Sequence, residues 1–245
     1  MSTFRTDLRQ TIVPDKHGRH GPLPPLLLAM TMVTGLVDAV SYLILGHVFV
    51  ANMTGNIVLL GFALAGAPGF SIPASATAVA SFGLGALAGG QIATRRSQDR
   101  GRLLTGSASV QTVLFAAAVV LAALSDNGVT SAYRYALIVV LALSMGIQNA
   151  AARKLAVPDL TTTVLTMTIT GIAADSTVAG GTGSKAGRRL IAIAAMLAGA
   201  LVGATLVIHA HLFYPVLIAL IVTAVVAATS AILGKPEAAW IHPES

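Results

Sequence analysis

Two groups of polar residues interrupt a sequence that is otherwise strongly apolar, and their types suit chemistry inside a membrane. The first group comprises Asp38 and, within the segment "VANMTGNIVLLGFALAG", the residues Asn52, Thr54, Gly55 and Asn56. A carboxylate at mid-membrane costs about 2.5–3.5 kcal/mol on insertion scales, so Asp38 should face protein or water. It would then serve in proton or cation coupling or contact a ligand, or else tie helices together through hydrogen bonds.

The second group lies in the other half of the chain. Gln148 and Asn149 are adjacent, and Thr166 and Thr168 lie in the threonine-rich stretch "LTTTVLTMT". Threonine hydroxyls commonly return a hydrogen bond to their own helix, and helix capping alone is the structural alternative to lining a polar path. We predict that the two groups together bind a substrate or line a pore: Asp38, Asn52, Thr54, Gly55, Asn56, Gln148, Asn149, Thr166 and Thr168.

Composition limits the elements that position these residues. The chain has 245 residues, of which 55% are hydrophobic and 10% charged, and its mean hydropathy is +0.82. Soluble domains carry about 25% charged residues. Apolar runs approach the roughly 20 residues that cross a bilayer, and alternating strand patterns are absent. We therefore predict an all-α polytopic protein whose partner is the lipid bilayer, and we attribute its net charge of +6 to cytoplasmic loops rather than to nucleic-acid binding.

Catalytic and metal-binding patterns are missing from the sequence. Cysteine is absent, which removes disulfides, thiolate metal ligands and thiol nucleophiles. No phosphate-binding loop, HExxH pattern or Ser/His/Asp arrangement is present, so we expect neither an enzyme nor a cofactor. His47, His209 and His211 should lie near the outer face, where scattered histidines are commoner than a metal site. An intramembrane enzyme would require Asp38 to meet a histidine or another acid.

Eight apolar runs divide the chain, and two of them are short. At 1.5 Å per residue, the short runs give helices of about 22–24 Å, less than the hydrocarbon thickness of about 30 Å. The long runs cover 26–50, 73–94, 103–124, 132–156, 190–209 and 212–233, and the short runs cover 53–67 and 164–179.

Three pairs of segments match between the two halves in the same order. They are "TGLVDA" (34–39) with "MGIQNA" (145–150), "MTGN" (53–56) with "LTMT" (165–168), and "GALAGG" (85–90) with "GALVGA" (199–204). We interpret the matches as an internal duplication, each half being ordered long, short, long, long. The small residues Gly83, Gly85, Gly89, Gly90, Gly199 and Gly203 should form faces for close helix packing.

The distribution of basic residues selects a topology. If the short runs re-enter the membrane and return, all 15 Lys and Arg residues except Arg134 lie on the cytoplasmic side with the N-terminus. If all eight runs span, the clusters at 95–102 and 153–154 move outside. We predict six transmembrane helices and two re-entrant segments as an inverted 3+3 repeat, with both termini cytoplasmic. The predicted parts are a tail (1–22), repeat 1 (23–125), repeat 2 (126–234) and a C-terminal tail (235–245).

The stretch "TGLVDAVSYLILGHVFVANMTGNIVLLGFAL" resembles the DUF1275 membrane proteins, also called the YoaK family, through Gly35, Asp38 and the "MTGN" block. The segment "MGIQNAAARKLAVPDLTTTVLT" is similar to that family's second-half signature. The family usually has Thr-Gly-Thr where this chain has Thr166–Met167–Thr168. The resemblance covers about residues 26–233 and implies a multi-pass protein of the bacterial inner membrane with no assigned substrate.

Two functions are compatible with these patterns. If both short segments begin as helices inside the membrane, their free N–H groups and positive dipole ends favour an anion or a polar lone pair. The first hypothesis is therefore a transporter or channel for a small polar or anionic solute, with the site where the two segments meet. The alternative is a non-transporting scaffold or lipid-binding protein whose tips are sealed by hydrogen bonds. Substrate, ion coupling and homo-oligomer formation are left open.

Overall fold

The computed structural model describes residues 7–9, 11–14, 20–96, 98–125, 130–160, 162, 165–181, 186–234 and 240–241. Within these ranges the regular structure is helical. Six helices have the length and apolar character to cross a membrane: α1 (Leu23–Ile44), α3 (Ile72–Arg95), α4 (Arg100–Leu124), α5 (Ser131–Leu155), α7 (Ala186–His209) and α8 (Phe213–Leu233). Two shorter apolar helices are α2 (Met53–Leu64) and α6 (Leu165–Ala174). The predicted all-α class is confirmed, and most of the two predicted tails lies outside the described residues.

Local sequence signals explain where several helices begin and end. Pro24 lies in the first turn of α1, where its missing N–H costs no helical hydrogen bond. Ser71 caps α3 by accepting a hydrogen bond from the N–H of Ala74, and Asp99 caps α4 through the N–H of Arg102. The apolar run of α1 ends six residues earlier than the sequence predicts, because Gly46 and His47 adopt positive φ angles of 97° and 57°.

The long helices pack as a central group with two flanking members. Helix α4 packs against α5 and α8, and α1 packs against α8 and, less extensively, α5. Helix α3 lies along α5, and α7 lies along α1. The short helix α2 packs on α3, and α6 packs on α7. Each half therefore places its first helix against the third helix of the other half.

Glycines allow α1 to pack closely on α7 and α5 to pack closely on α3, and the glycine contacts of these two helix crossings correspond between the halves. A Cβ on Gly35 would collide with the backbone of Met196 and Ala200, and a Cβ on Gly146 would collide with the backbone of Phe82 and Ala86. The facing glycines are as tightly packed: a Cβ on Gly199 would collide with the carbonyl of Met32, and a Cβ on Gly85 would collide with the carbonyl of Leu143. A Cβ on Gly89 would also collide with α5, and a Cβ on Gly203 would collide with α1. Gly83 and Gly90, in contrast, face open space. The predicted close packing thus holds for four of the six glycines.

The outer faces of the bundle are apolar. Val113 is 69% exposed, Leu197 67% and Leu201 65%, although each lies within a membrane-length helix. Exposed aliphatic side chains in such numbers suit contact with lipid rather than with water. The interior contains two apolar clusters, one around Val37, Phe115 and Leu141 and the other around residues that include Leu27, Leu104 and Trp240.

Candidate functional site

The loop between α1 and α2 is buried, and Asp38 holds its backbone. Leu45, Val48 and Val50 are fully buried although they are not helical. The Oδ1 atom of Asp38 accepts hydrogen bonds from the N–H of Val50 at 3.0 Å and from the N–H of Ala51 at 2.9 Å. Non-helical backbone inside a membrane requires such internal partners. Asp38 therefore positions the loop that leads into α2.

Asn56 holds the same loop from the other side. Its side chain is fully buried, its Oδ1 accepts from the N–H of Phe49 at 2.8 Å, and its Nδ2 donates to the carbonyl of Phe49 at 2.5 Å. Gly55 leaves room for this arrangement, because a Cβ there would lie 2.7 Å from the Phe49 ring. Gly55 and Asn56 of the "MTGN" block thus share a structural role, which is to position Phe49.

Asn52 is exposed and caps α2. Its Oδ1 accepts a hydrogen bond from the N–H of Gly55 at 3.3 Å, which satisfies one of the free donors of the first turn. Thr54, in the first turn of α2, is exposed as well. The beginning of α2 therefore presents an amide and a hydroxyl outward from an otherwise apolar helix.

Residues at the beginnings of α2 and α6 line one cavity of about 490 Å³. From the first half it is lined by Phe49, Asn52, Thr54, Gly55, Val58 and Leu59, and from the second half by Leu165, Thr166 and Met196. Its polar groups are one amide, two hydroxyls and backbone near two helix N-termini, and its lining residues include no charged side chain. Such a site suits a small ligand held by hydrogen bonds.

Four of the nine predicted site residues thus line one cavity, namely Asn52, Thr54, Gly55 and Thr166. Asp38 and Asn56 lie behind its wall and hold the loop. Thr168 is buried but is not a lining residue of this cavity. A role in solute binding stays a prediction for each of them.

Gln148 and Asn149 are directed elsewhere. Gln148 is fully buried in the bundle, where its Nε2 donates to the carbonyl of Met30 at 3.2 Å and to Oγ1 of Thr34 at 2.9 Å. Asn149 is partly buried and donates from Nδ2 to the carbonyl of Met145, one turn back on its own helix. The two adjacent amides therefore belong to different environments.

Asn149 lines a separate groove of about 790 Å³ between α3 and α5. Small residues form much of this groove, including Ala86, Gly90 and Ala93. Exposed Arg153 and Lys154 lie at the end of α5 and line it as well. The groove thus combines an apolar floor with two positive charges.

Sequence reasoning missed an ion-pair cluster that holds α6. Nε of Arg189 donates to Oδ1 of Asp159 at 2.8 Å, and its Nη1 lies 2.8 Å from Oδ2 of Asp175 in a charge contact without hydrogen-bond geometry. The signal in the sequence was one acid before the second short run and one late within it, with two arginines just before the next long run. A second omission is Arg100, which is buried and donates to the carbonyl of Leu155 at 2.5 Å.

Comparisons with known proteins find one family whose model matches most of the chain. The family described as "Protein of unknown function (DUF1275)" matches residues 26–229. The UPF0700 transmembrane protein YoaK of Bacillus subtilis (strain 168) is 38% identical over 155 residues, which cover 61% of this chain and 65% of that protein. No solved structure matches.

Proposed function

We propose that this chain, which belongs to the DUF1275 family, is a transporter or channel for a small polar or anionic solute. The observation that carries the proposal is the cavity lined by Asn52 and Thr54 from one half and by Thr166 from the other. A mainly apolar cavity into which two short helices bring an amide and two hydroxyls is unusual in a chain that otherwise presents apolar faces. Sites of this kind lie at the repeat interface of many transporters.

The path of the chain around α2 supports a re-entrant segment. Asp38 precedes the end of α1 by six residues, or about 9 Å of helix, and it binds the loop just before α2. After α2 the chain comes back to the end of α1, where Nδ1 of His47 lies 3.1 Å from the carbonyl oxygen of Gly69. In this proposal α2 begins at depth and returns to the side from which the loop entered.

The second half supports the same path through charges. Asp159 precedes α6 and Asp175 follows it, and both carboxylates pair with Arg189 in the first turns of α7. The chain on both sides of α6 therefore lies at one end of α7. With two re-entrant segments, each half crosses three times and the halves are inverted, which agrees with the corresponding glycine contacts of the two halves.

The solute class follows from the cavity lining. The Asn52 amide and the Thr54 and Thr166 hydroxyls donate and accept hydrogen bonds, and the helix N-termini favour negative charge or a lone pair. A cation would find no carboxylate among the lining residues. In this proposal Asp38 acts as a positioning residue for the loop, and the chain is placed in the bacterial inner membrane with cytoplasmic termini.

Flux through proteoliposomes tests the proposal. Stopped-flow light scattering would follow the entry of urea, glycerol, formate and acetate into vesicles containing the wild type, Thr54→Val, Thr166→Val or Thr77→Val. Thr77 is the matched control, because its hydroxyl bonds to the Pro73 carbonyl of its own helix, away from the cavity. We expect the two lining variants to slow a wild-type flux about tenfold, because losing one hydrogen bond of about 1.4 kcal/mol corresponds to a factor of about ten. We expect the control variant to leave the flux unchanged. Equal flux in all four proteins would contradict this site.

A lipid-binding function has an observation of its own, the groove at Asn149. A fatty acyl chain fits along Ala86 and Gly90, and Arg153 and Lys154 suit an anionic headgroup. Native mass spectrometry would compare binding of phosphatidylglycerol by the wild type, by Arg153→Gln/Lys154→Gln and by the charge control Arg134→Gln. Loss of binding in the double variant alone, with no flux for any probe solute, would favour this alternative.

A further inference from the structure

A buried polar layer separates the two apolar clusters of the bundle. Along α4, the cluster that includes Leu104 ends at Ala108 and the cluster that includes Phe115 begins at Phe115 itself. Along α5 the order is reversed: the Phe115 cluster ends at Met145 and the Leu104 cluster begins at Ala151. These intervals contain the fully buried amides Gln111 of α4 and Gln148 of α5, and the fully buried Thr223 of α8 lies between Ala219 of one cluster and Val226 of the other. Thr34 of α1 is fully buried as well and accepts a hydrogen bond from Gln148. Ser107 and Ser144 extend the layer by one turn and are fully buried as well.

The threonines of this layer are satisfied within their own helices. Thr34 donates to the Met30 carbonyl, and Thr223 donates to the carbonyls of Ala219 and Leu220. The amides and serines differ. Within the part of the chain that the structure describes, five of their buried atoms have no hydrogen-bond partner: Ser107 Oγ, Gln111 Nε2, Gln111 Oε1, Ser144 Oγ and Gln148 Oε1.

These five atoms lie at matching heights on two packed helices. Helices α4 and α5 follow each other across a short connection and pack together, so they run antiparallel. Counted in residues, Gln111 is as far from the end of α4 as Ser144 is from the start of α5. Ser107 and Gln148 correspond in the same way one turn further along. The unpartnered atoms therefore lie at two neighbouring levels of the α4–α5 pair rather than being scattered along it.

We propose that Ser107, Gln111, Ser144 and Gln148 form an internal site that binds ordered water at mid-height of the bundle. A buried polar atom without a hydrogen-bond partner is destabilising, and this layer contains five of them. The ligand must donate to the two amide oxygens and accept from Gln111 Nε2. A cation would leave that N–H unsatisfied and an anion would leave both oxygens unsatisfied, whereas water does both tasks.

A structure of the full chain in a lipid nanodisc, at a resolution that shows ordered water, tests the site directly. We expect water density within hydrogen-bond distance of the Gln111 amide in the wild type, and its loss in Gln111→Leu. Density showing the Gln111 amide bonded directly to protein atoms, or a dry layer, would overturn the proposal.

Hydrogen–deuterium exchange of single thiols gives a second measurement. The chain has no cysteine, so Ser107→Cys, Ser144→Cys and Ala118→Cys each report one position through the infrared S–H band. Ala118 is the control, because it is fully buried in an apolar cluster on the same helix as Ser107. We expect exchange in D₂O to be about tenfold faster at 107 and 144 than at 118, because a thiol beside internal water exchanges without opening of the bundle. Equal rates at all three positions would refute the hydrated layer.

Discussion

Oδ1 of Asp38 lies 3.0 Å from the backbone nitrogen of Val50, and this bond joins the middle of the first long helix to the loop before α2. The same oxygen accepts from Ala51, so one carboxylate satisfies two buried donors. A buried carboxylate in a membrane-length helix is therefore explained first by the loop that it holds.

Replacing Asp38 should separate its hydrogen bonding from its charge. Asp38→Asn keeps an acceptor oxygen, whereas Asp38→Ala leaves two N–H groups unpaired, at about 1–3 kcal/mol each. We expect Asp38→Ala to lower the melting temperature in detergent markedly and Asp38→Asn to lower it less. An alanine variant as stable as the wild type would show that the loop does not depend on this carboxylate.

The two glycine crossings should be equally sensitive. Gly35→Ala and Gly146→Ala each place a methyl group against facing backbone, which we expect to destabilise the protein by about 1–3 kcal/mol. Gly83→Ala is the control, because nothing lies within 4 Å of its added Cβ and alanine favours a helix. Thermal unfolding measures all three, and a control as damaging as Gly35→Ala would contradict the packing explanation.

The ion pairs around α6 should contribute unequally. The Asp159 side chain is 15% exposed and that of Asp175 is 52% exposed, so solvent screens the second pair more strongly. We expect Asp175→Asn to change stability by less than about 1 kcal/mol and Asp159→Asn to cost more. A melting series in low and high salt checks this order. The reverse order would mean that Asp175 holds the end of α6.

Topology is testable with single cysteines in a chain that has none. If α2 and α6 re-enter, an impermeant thiol reagent added outside should label Pro68→Cys and Thr130→Cys, and Val178→Cys should be labelled only from the cytoplasm. Val178 is 98% exposed, so access does not limit the reaction. With a cytoplasmic N-terminus, labelling of Pro68→Cys only from the cytoplasm would show that α2 spans the membrane. Labelling of Thr130→Cys and Val178→Cys from the same side would show that α6 spans it, because α5 and α6 lie between these two positions.

Hydropathy and run length were sufficient to predict the six long helices and the two short ones, because a helix that lies in lipid must be apolar along consecutive residues. The polar types in "MTGN" also pointed to the start of α2. The sequence could not assign Asn56 to Phe49 or Asp38 to Val50, because loop hydrogen bonds depend on how the chain turns after α1. Nor did it separate Gln148 from Asn149, which are adjacent in sequence but face different neighbours.

The crossed packing of the halves has a consequence for biosynthesis. Gly35 emerges early from the ribosome, but its partner Met196 follows some 160 residues later, about 10–30 s at 5–20 residues per second. During that interval α1 lacks its main partner helix and must remain in lipid with its glycine face uncovered. The first half therefore matures only when the second has been inserted, and halves produced as separate chains should find each other in the membrane.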